Sequence, residues 1–398
     1  MRFAHLADCH LGGWRHEELQ SLNFQSFQKI VDICITEKVD FILISGDLFD
    51  SAYPPVEILK ETFAEFRKIN DVNIPVFIIA GSHDFSASGK TFLDVLEKAG
   101  FVKNVEDFEV EEDGVIKLKP TMHGDIALFG YSGKKSGMEM EDLKKIKFDS
   151  VYPFTIFLLH TTIKDVVGSI PMESLDKSVL PLADYYALGH IHQVFEKQEG
   201  NSFYSYPGPS FPNNFQELAD LKTGSFNLVT IENAKTNIQN IKIPVKETVY
   251  IEIALDNGLT ATEKVISELD RHNMNGKIIL LKLKGVLQQG KTGDINFDEI
   301  EEFVKKKEAY SFLRNISALK TRETELELDA EGLDNMGDIE EQIKEQYTEQ
   351  NPSEFNKNLS QLMNGLSLEK NEDEKSVIFE TRLIDELKKI LNLQGILE

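Results

Sequence analysis

Short apolar runs alternate with helical patterns along the first 240 residues. Three of these runs, at residues 41–44, 76–79 and 154–159, contain β-branched side chains and are typical of strands buried on both faces. Between them, apolar side chains recur at helical spacing in three sets: Phe24, Phe27, Val31 and Cys34; Val56, Leu59, Phe63 and Phe66; and Phe92, Val95, Leu96 and Ala99. Because strands and helices alternate, the pattern predicts an α/β domain.

The pattern changes near residue 245. Residues 249–255, 278–283 and 310–319 are predicted to form strands, and residues 260–271 and 297–307 are predicted to form helices. We therefore predict a first domain over residues 1–245 and a small α+β domain over residues 246–320.

An acidic segment and two short helices are predicted to follow. Residues 321–351 have few apolar side chains and no sustained period, which is typical of a linker. Residues 352–398 contain two apolar helical faces, made of Phe355, Leu359, Leu362 and Met363 and of Phe379, Leu383, Leu387, Ile390 and Leu391. We predict a helix-loop-helix that binds a partner surface. The alternatives are that these helices pack on their own chain or form a dimer.

The composition narrows the class of protein. The chain has 398 residues, 41% of them hydrophobic, and its cysteines are Cys9 and Cys34, too few for a disulfide scaffold. The N-terminus lacks a signal-peptide pattern and no apolar run is long enough to cross a bilayer, so we expect a cytosolic protein without membrane contact.

The net charge of −24 argues against a basic nucleic-acid-binding protein, but the charge is uneven. Residues 321–398 hold eight Lys or Arg and twenty Asp or Glu, which is half of the acidic excess. The net charge therefore says little about the first domain.

Titratable residues lie where the predicted strands end. They form five clusters: Asp8-Cys9-His10, Gly46-Asp47-Leu48-Phe49-Asp50, Gly81-Ser82-His83-Asp84, His160, and Gly189-His190-Ile191-His192. In an extended segment alternate side chains point the same way, so the D-x-H and H-x-H pairs can each reach a common centre. The glycines allow tight bends before these residues. Imidazoles with a few carboxylates suit manganese, iron or zinc rather than calcium, and an aspartate between two cations can bridge them.

Each cluster also has a simpler interpretation. A lone D-x-H is often a surface or capping pair, and a lone histidine such as His160 is more often a core residue than a ligand. Cys9 faces away from its neighbours and is expected to be buried, and His5 is expected to pack in the first strand. His16, His123 and His272 lie outside the clusters and receive no metal role. The conjunction of five clusters at strand ends favours a metal centre.

The order D-x-H, G-D-x-x-D, G-x-H-D, H and G-H-x-H resembles that of calcineurin-like metallophosphoesterases over roughly residues 1–240. Residues 5–12 and 46–50 are similar to the meiotic-recombination-eleven and SbcD nucleases of DNA double-strand-break repair, in an archaeal form. Tyr206-Pro207-Gly208-Pro209-Ser210 and Phe215-Gln216-Glu217 resemble that family's loop after the last histidines. The resemblance implies a β-sandwich flanked by helices, a small α+β capping domain and a C-terminal helix-loop-helix.

The resemblance also implies two divalent metal ions, with manganese expected, held by two sets of ligands. The first set is Asp8, His10, Asp47 and His192. The second set is Asp47, His160, His190 and Ser82, so Asp47 bridges the ions. By the same resemblance, His83 acts on the phosphate or the leaving oxygen from beside the metals.

Two positions depart from the family pattern. Ser82 stands where the superfamily usually has asparagine, and it is expected to bind weakly or through water. Asp50 stands where some relatives have histidine; it either orients His83 or another group around the site, or caps the following turn. Arg15, after the first motif, is a candidate contact for a phosphate.

The resemblance implies a manganese-dependent DNA nuclease, 3′-5′ exonucleolytic and endonucleolytic on single strands, acting in the cytoplasm at the nucleoid. The expected partners are DNA, an SMC-like ATPase bound through the helix-loop-helix, and a second copy of the chain. One alternative is a phosphodiesterase or phosphatase acting on small phosphate esters, and another is a scaffold with a decayed site. The basic stretches Lys134-Lys135, Lys144-Lys145-Lys147 and Lys305-Lys306-Lys307 are candidate DNA contacts or ordinary solvated faces.

Overall fold

Two six-stranded sheets stack face to face in the computed structural model, which describes residues 1–84, 91–134, 139–149, 151–168, 173–232, 235–321, 348, 354–368 and 376–391. The strands, in chain order, are β1 (Arg2–Leu6), β2 (Phe41–Ser45), β3 (Val76–Ile79), β4 (Lys103–Asn104), β5 (Phe108–Val110), β6 (Ile116–Leu118), β7 (Thr121–His123), β8 (Ile126–Tyr131), β9 (Ile146–Lys147), β10 (Phe154–His160), β11 (Tyr185–Gly189), β12 (Val194–Glu199), β13 (Ser202–Pro207), β14 (Gly224–Glu232), β15 (Lys235–Ile243), β16 (Thr248–Ala254), β17 (Ile278–Leu287) and β18 (Ser311–Thr321).

The first sheet has the order β15-β14-β1-β2-β3-β4. Strands β1, β2, β3 and β4 are parallel, and β14 and β15 add an antiparallel edge. The second sheet has the order β12-β13-β11-β10-β8-β7, with a parallel centre and antiparallel edges. In both sheets the carboxyl ends of neighbouring parallel strands therefore meet at one edge.

Alternate side chains of the central strands enter two different cores. Phe41 and Leu43 pack between the two sheets, whereas Ile42 and Ile44 pack on the outer face of the first sheet. This alternation explains why the strand reads as a continuous apolar run, since both of its faces are covered. Burying a side chain such as Phe41 stabilises the fold by roughly 1.5–3 kcal/mol. The predicted β-sandwich flanked by helices is confirmed.

Helices α1 (Glu17–Thr36), α2 (Val56–Asp71) and α3 (Phe92–Lys98) cover the outer face of the first sheet, and α4 (Glu139–Leu143) and α5 (Lys164–Val167) pack on that of the second. The other helices of the described residues are α6 (Phe215–Leu221), α7 (Ala261–Leu269), α8 (Phe297–Lys306), α9 (Leu359–Leu366) and α10 (Ser376–Ile390). Short 3₁₀ helices are found at Lys177–Val179, Thr292–Asp294 and Glu354–Asn358. The three predicted helices of the first domain are present, but Val56 and Val95 are exposed rather than part of the core. In the described part of the chain, no helix combines the length and apolarity needed to span a bilayer.

The chain divides into two compact units. The first comprises Met1–Glu252, Glu268–Lys282 and Glu301–Asn315, and the second comprises Ile253–Ser267, Leu283–Ile300 and Ile316–Glu398. Strands β16, β17 and β18 form a three-stranded sheet, and the strands and helices predicted after residue 245 are all present. Helices α9 and α10 contact each other at Gly365. Most of the predicted acidic linker lies outside the described residues, as do the side chains at 355 and 376–378.

Candidate metal centre

The ends of five strands bring the predicted ligands together. Asp8 follows β1, Asp47 follows β2 and Ser82 follows β3, while His160 ends β10 and His190 follows β11. Ligands in such sheets bind outside the carboxyl ends of the strands. A hydrogen bond from His160 Nδ1 to the carbonyl oxygen of Ser45, at 2.9 Å, joins the ends of the two sheets here.

Four of the predicted ligands have a left-handed backbone. The φ angles are 52° at Asp8, 42° at His10, 51° at Asp47 and 91° at His190. They are four of the eight non-glycine residues with positive φ in the described part of the chain. Such conformations cost free energy and are concentrated at functional sites, where the surrounding structure holds them.

Two glycines make room for the ligands. Gly46 has a φ of +88°, and a Cβ there would lie 2.3 Å from Nδ1 of His160. A Cβ at Gly81 would lie 2.2 Å from Oδ1 of Asp47. The tight bend predicted from the sequence is found at Gly46, whereas Gly81 is required because the Asp47 carboxylate packs directly on its Cα.

The first ligand group comprises Asp8, His10 and His192, whose ligand atoms all lie within 4.8 Å of one another. The Nε2 atoms of His10 and His192 face each other at 3.1 Å. Asp8 Oδ2 is buried and makes no hydrogen bond within the described residues. Two facing imidazole nitrogens and an unpaired buried carboxylate oxygen need a cation or a shared proton between them.

The second group comprises Asp47, His160 and His190. Nε2 of His160 lies 3.1 Å from Oδ2 of Asp47 but, among the described residues, has no partner with the alignment of a hydrogen bond. The same Asp47 oxygen lies 3.7 Å from Nε2 of His10, a member of the first group. One carboxylate oxygen therefore lies between the two groups.

The donor atoms fit divalent metal ions. Buried atoms that lack hydrogen-bond partners, one in each group, point into the centre, and the set of imidazole nitrogens and carboxylate oxygens suits manganese, iron or zinc. The centre can therefore hold divalent metal ions in two neighbouring ligand groups.

Three of the histidines are oriented through Nδ1. His160 donates to the Ser45 carbonyl at 2.9 Å, His10 to Asp50 Oδ1 at 3.1 Å, and His192 to Glu217 Oε1 at 2.9 Å. Because these oxygens can only accept, Nδ1 of each ring carries a proton and Nε2 faces the centre.

His83 lies beside the ligand groups and is half-exposed. Its Nδ1 donates to the backbone carbonyl of Asp50 at 2.9 Å, and its ring centroid is 4.6 Å from that of His10. The Asp50 carboxylate contacts His10 and lies 3.5 Å from His83 Nδ1. His10, Asp50 and His83 also form a third group with ligand atoms within 4.8 Å of one another.

The remaining candidates are placed as follows. Ser82 Oγ donates to Asp47 Oδ2 at 3.4 Å, so its hydroxyl faces the centre at a long distance. Arg15 is exposed five residues beyond His10. The basic stretches are largely paired with carboxylates: Lys134 with Asp142, Lys144 with Glu141, Lys305 with Glu301, Lys306 with Glu302 and Lys307 with Asp270. These pairings favour the interpretation of solvated faces.

Two carboxylates at the site, Glu217 and Asp84, are not predicted from the sequence to have a functional role. Glu217 contacts His192, although its only sequence signal was its place in a family-like loop. Asp84 is fully buried and accepts the amide hydrogens of Leu48, Phe49 and Gly81 at 3.0–3.1 Å. It therefore holds together the two loops that carry Asp47 and Ser82. Burial and the nearby Asp47 charge raise the pKa of Asp84 to about 6.

Without a metal, the centre holds protons. Burial alone would lower the pKa of His160, but the Asp47 carboxylate outweighs it and raises the pKa to about 10. Burial is likewise outweighed at His192, where Glu217 and Asp8 raise the pKa to about 9. For Asp47, the positive charge of His160 outweighs burial and holds the pKa well below its usual range. A metal ion must displace these protons to bind.

Comparison with known proteins agrees with this geometry. The family model described as calcineurin-like phosphoesterase matches residues 1–194. The DNA double-strand break repair protein Mre11 of Methanococcus maripaludis is 30% identical over 271 residues, which are 62% of this chain and 70% of the relative. The protein of that name from Methanocaldococcus jannaschii is 28% identical over 296 residues, 71% of this chain and 77% of the relative. The one from Methanosarcina mazei is 25% identical over 327 residues, 78% of this chain, and the match spans about half, 48%, of that relative. The chain therefore belongs to the Mre11 family of calcineurin-like phosphoesterases.

Proposed function

We propose that the chain is a two-metal phosphodiesterase that cuts DNA during double-strand-break repair. The observation that carries the proposal is the position of Asp47 Oδ2, between the Nε2 atoms of His160 and His10 at 3.1 and 3.7 Å. A carboxylate oxygen that lies between two ligand groups could be shared by two adjacent cations, as a two-metal hydrolytic site would need. The names of the relatives supply the substrate, DNA, and the repair context.

We assign the first cation, manganese by expectation, to Asp8, His10, Asp47 and His192, and the second to Asp47, His160, His190 and Ser82. Two bound divalent cations supply Lewis acidity toward phosphoryl oxygens and lower the pKa of water. The protein fixes the orientation of the ligands. The Nδ1 hydrogen bonds of His10, His160 and His192 hold their Nε2 atoms toward the centre without a cation.

His83 is assigned to proton transfer rather than to metal binding. Its Nδ1 is engaged by the Asp50 carbonyl, so Nε2 of the half-exposed ring is free to meet a phosphate or a leaving oxygen. A histidine suits this role because an imidazole can both donate and accept a proton near neutral pH.

DNA binding is expected to depend on the cations. The chain carries −24 overall, and most lysines of its basic stretches are paired with carboxylates. Divalent ions at the centre would be the strongest local positive charge facing a phosphate. Arg15, exposed five residues after His10 in the chain, is the protein cation that we assign to a substrate phosphate.

We assign the nuclease to residues 1–245, a capping domain to 246–320, a linker to 321–351 and a partner-binding segment to 352–398. The partner is an SMC-like ATPase, bound through α9 and α10, where Leu366 and Ile384 are exposed. We also propose a homodimer, as the family resemblance implies. The expected activities are 3′-5′ exonuclease and single-strand endonuclease, in the cytoplasm at the nucleoid.

The test is a comparison of substrates. The purified chain is incubated with Mn²⁺ and either duplex DNA with a recessed 3′ end, circular single-stranded DNA or a small chromogenic phosphodiester. We expect cleavage of both DNA substrates, with a far lower kcat/KM on the small ester. Efficient hydrolysis of the small ester without DNA cleavage would instead identify a small-ester phosphodiesterase.

A further inference from the structure

The two ligand groups differ in what holds their histidines. In the first group, both histidines donate from Nδ1 to a carboxylate, His10 to Asp50 at 3.1 Å and His192 to Glu217 at 2.9 Å. In the second group, His160 donates to a neutral backbone carbonyl at 2.9 Å, and His190 is exposed. A carboxylate behind an imidazole raises its basicity as a ligand, whereas a carbonyl mainly orients it.

Glu217 is held in place before any metal arrives. Its Oε2 accepts the backbone N–H of Asn213 at 2.8 Å, and its Oε1 accepts the side-chain N–H of Asn214 at 2.6 Å as well as that of His192. Asn214 in turn caps α6 by accepting the backbone N–H of Glu217 at 2.9 Å. The carboxylate is 19% exposed, so its charge acts on His192 with limited screening by water.

The two ligand groups also differ in the number of carboxylates that they contain. The first group contains Asp8, which is fully buried with an unpaired Oδ2, and it shares Asp47 with the second group. The second group otherwise adds only neutral donors, and its Ser82 hydroxyl is 3.4 Å from Asp47. Attraction between opposite charges at contact distance is several times stronger in a protein site than in bulk water. A divalent cation therefore meets more negative charge in the first group.

We propose that Glu217 and Asp50 are positioning residues that make the Asp8, His10 and His192 group the first to take up a divalent cation. The group around His160 and His190 then loads second and exchanges more readily, since one of its ligands is open to solvent. The inference rests on the proposed two-metal centre. It adds to that centre the order in which the two cations bind. This order is assigned to Glu217 and Asp50, which do not contact the cations.

The test is a titration of the metal-free chain with Mn²⁺, followed by electron paramagnetic resonance and by calorimetry. In the wild-type chain, the first equivalent should give the spectrum of isolated Mn²⁺, and the second should convert it to a spin-coupled pair. In Glu217→Gln, the first binding step should weaken by roughly 10–100-fold, the usual effect of losing such a partner. The two steps then merge, and the coupled signal should appear from the start of the titration.

Two control variants separate charge from folding. Asp220→Asn removes another carboxylate of α6, one that contacts Gln216 and not a histidine, and should leave both steps unchanged. If Glu217→Gln fails to fold, as seen in a thermal melt, Glu217→Asp keeps the charge and should retain stepwise loading.

The inference is overturned if Glu217→Gln keeps the wild-type first step, or if Asp220→Asn merges the steps equally. It is also overturned if Glu217→Asp loads both ions together. The proposed function is judged separately by the DNA cleavage assay on the wild-type chain. Ordered binding of two ions without DNA cleavage would refute the nuclease and leave the loading order standing.

Discussion

Asp47 and His160 approach each other across the junction of the two sheets, with Oδ2 of the aspartate 3.1 Å from Nε2 of the histidine. The contact is made possible by Gly46, whose missing side chain leaves room for the imidazole, and by the Ser45 carbonyl that orients the ring. The same carboxylate accepts the backbone N–H of His83 through Oδ1 at 2.8 Å. Asp47 thus connects both ligand groups to the residue that we assign to proton transfer.

His83→Ala should leave both metal sites intact while slowing DNA cleavage by about 10²–10⁴-fold, the range typical of an acid-base group. The physical reason is that its ring lies against His10 and is bound through Nδ1 to a carbonyl, which leaves Nε2 for the substrate. Calorimetry with Mn²⁺ and a nuclease assay measure the two effects. Loss of a metal ion from this variant would move His83 into the ligand set.

Ser82→Ala should cost little metal affinity, because the hydroxyl is 3.4 Å from Asp47 and is expected to act weakly or through water. Ser82→Asn should bind the second ion at least as tightly, since an amide oxygen reaches farther. The measurement is the second step of a Mn²⁺ titration, with the first step as the internal control. A large loss in Ser82→Ala would show that the serine is a direct ligand.

Mn²⁺ affinity should rise with pH between about 6 and 9. The folded, metal-free centre has raised pKa values, about 10 for His160 and about 9 for His192, so both hold protons at neutral pH. Since metal ligands must be deprotonated, binding releases protons, and raising the pH removes the competition. Calorimetry in buffers with different ionisation enthalpies counts the protons released. Affinity that is independent of pH, with no proton release, would contradict this picture of the centre.

The strand ends and ligand clusters were predictable because both signals are local. Because Ile42 and Leu43 are both apolar and lie on opposite faces of the strand, the sequence alone predicts that both faces are buried. The D-x-H motif is visible within three consecutive residues. Glu217 was not predictable as a partner of His192, because the contact depends on how the loop before α6 turns. The sequence predicts a bend at Gly81, but the need for glycine there comes from the close approach of Asp47, a contact between loops that are distant in sequence. The pairing of Lys307 with Asp270 likewise required the structure, since a basic run does not reveal neighbours that are distant in sequence.

His5→Gln should make the free energy of unfolding less dependent on pH below 6.5. His5 is fully buried between Tyr185 and Ser45, at 2.9 and 3.1 Å, and burial lowers its pKa from 6.5 to about 3. Below pH 6.5 the unfolded chain takes up a proton there that the folded chain does not, so stability falls as the pH falls toward 3. At pH 4.5, the free energy of unfolding should be lower by about 2–3 kcal/mol because of this residue.

Urea unfolding at pH 7 and pH 4.5 measures this loss as the difference between wild type and His5→Gln. His272→Gln, at an exposed histidine, serves as the matched control and should follow the wild type. An identical pH dependence in His5→Gln and wild type would show that the buried imidazole is not responsible.

Leu366→Asp with Ile384→Asp should weaken binding to an SMC-like ATPase by orders of magnitude. These side chains are 61% and 51% exposed on α9 and α10, and burying each against a partner is worth roughly 1.5–3 kcal/mol. Leu387 is less suitable for this test because it packs near Gly365 between the two helices. The measurement is a pull-down with the cognate ATPase, beside a nuclease assay of the isolated chain.

The matched control for this pair is Gln361→Asp, which changes an exposed polar residue of α9 and should not affect binding. Intrinsic Mn²⁺-dependent cleavage should survive in the double variant, because the assigned ligands all precede residue 193. Unchanged ATPase binding in the double variant would refute docking through this surface.

The most direct test of the two-metal centre is an anomalous-scattering map from a crystal soaked in Mn²⁺. Two adjacent peaks that share Asp47 are expected, one beside Asp8, His10 and His192 and the other beside His160 and His190. A single peak would contradict it, and so would a peak in the group formed by His10, Asp50 and His83, which the same map would reveal.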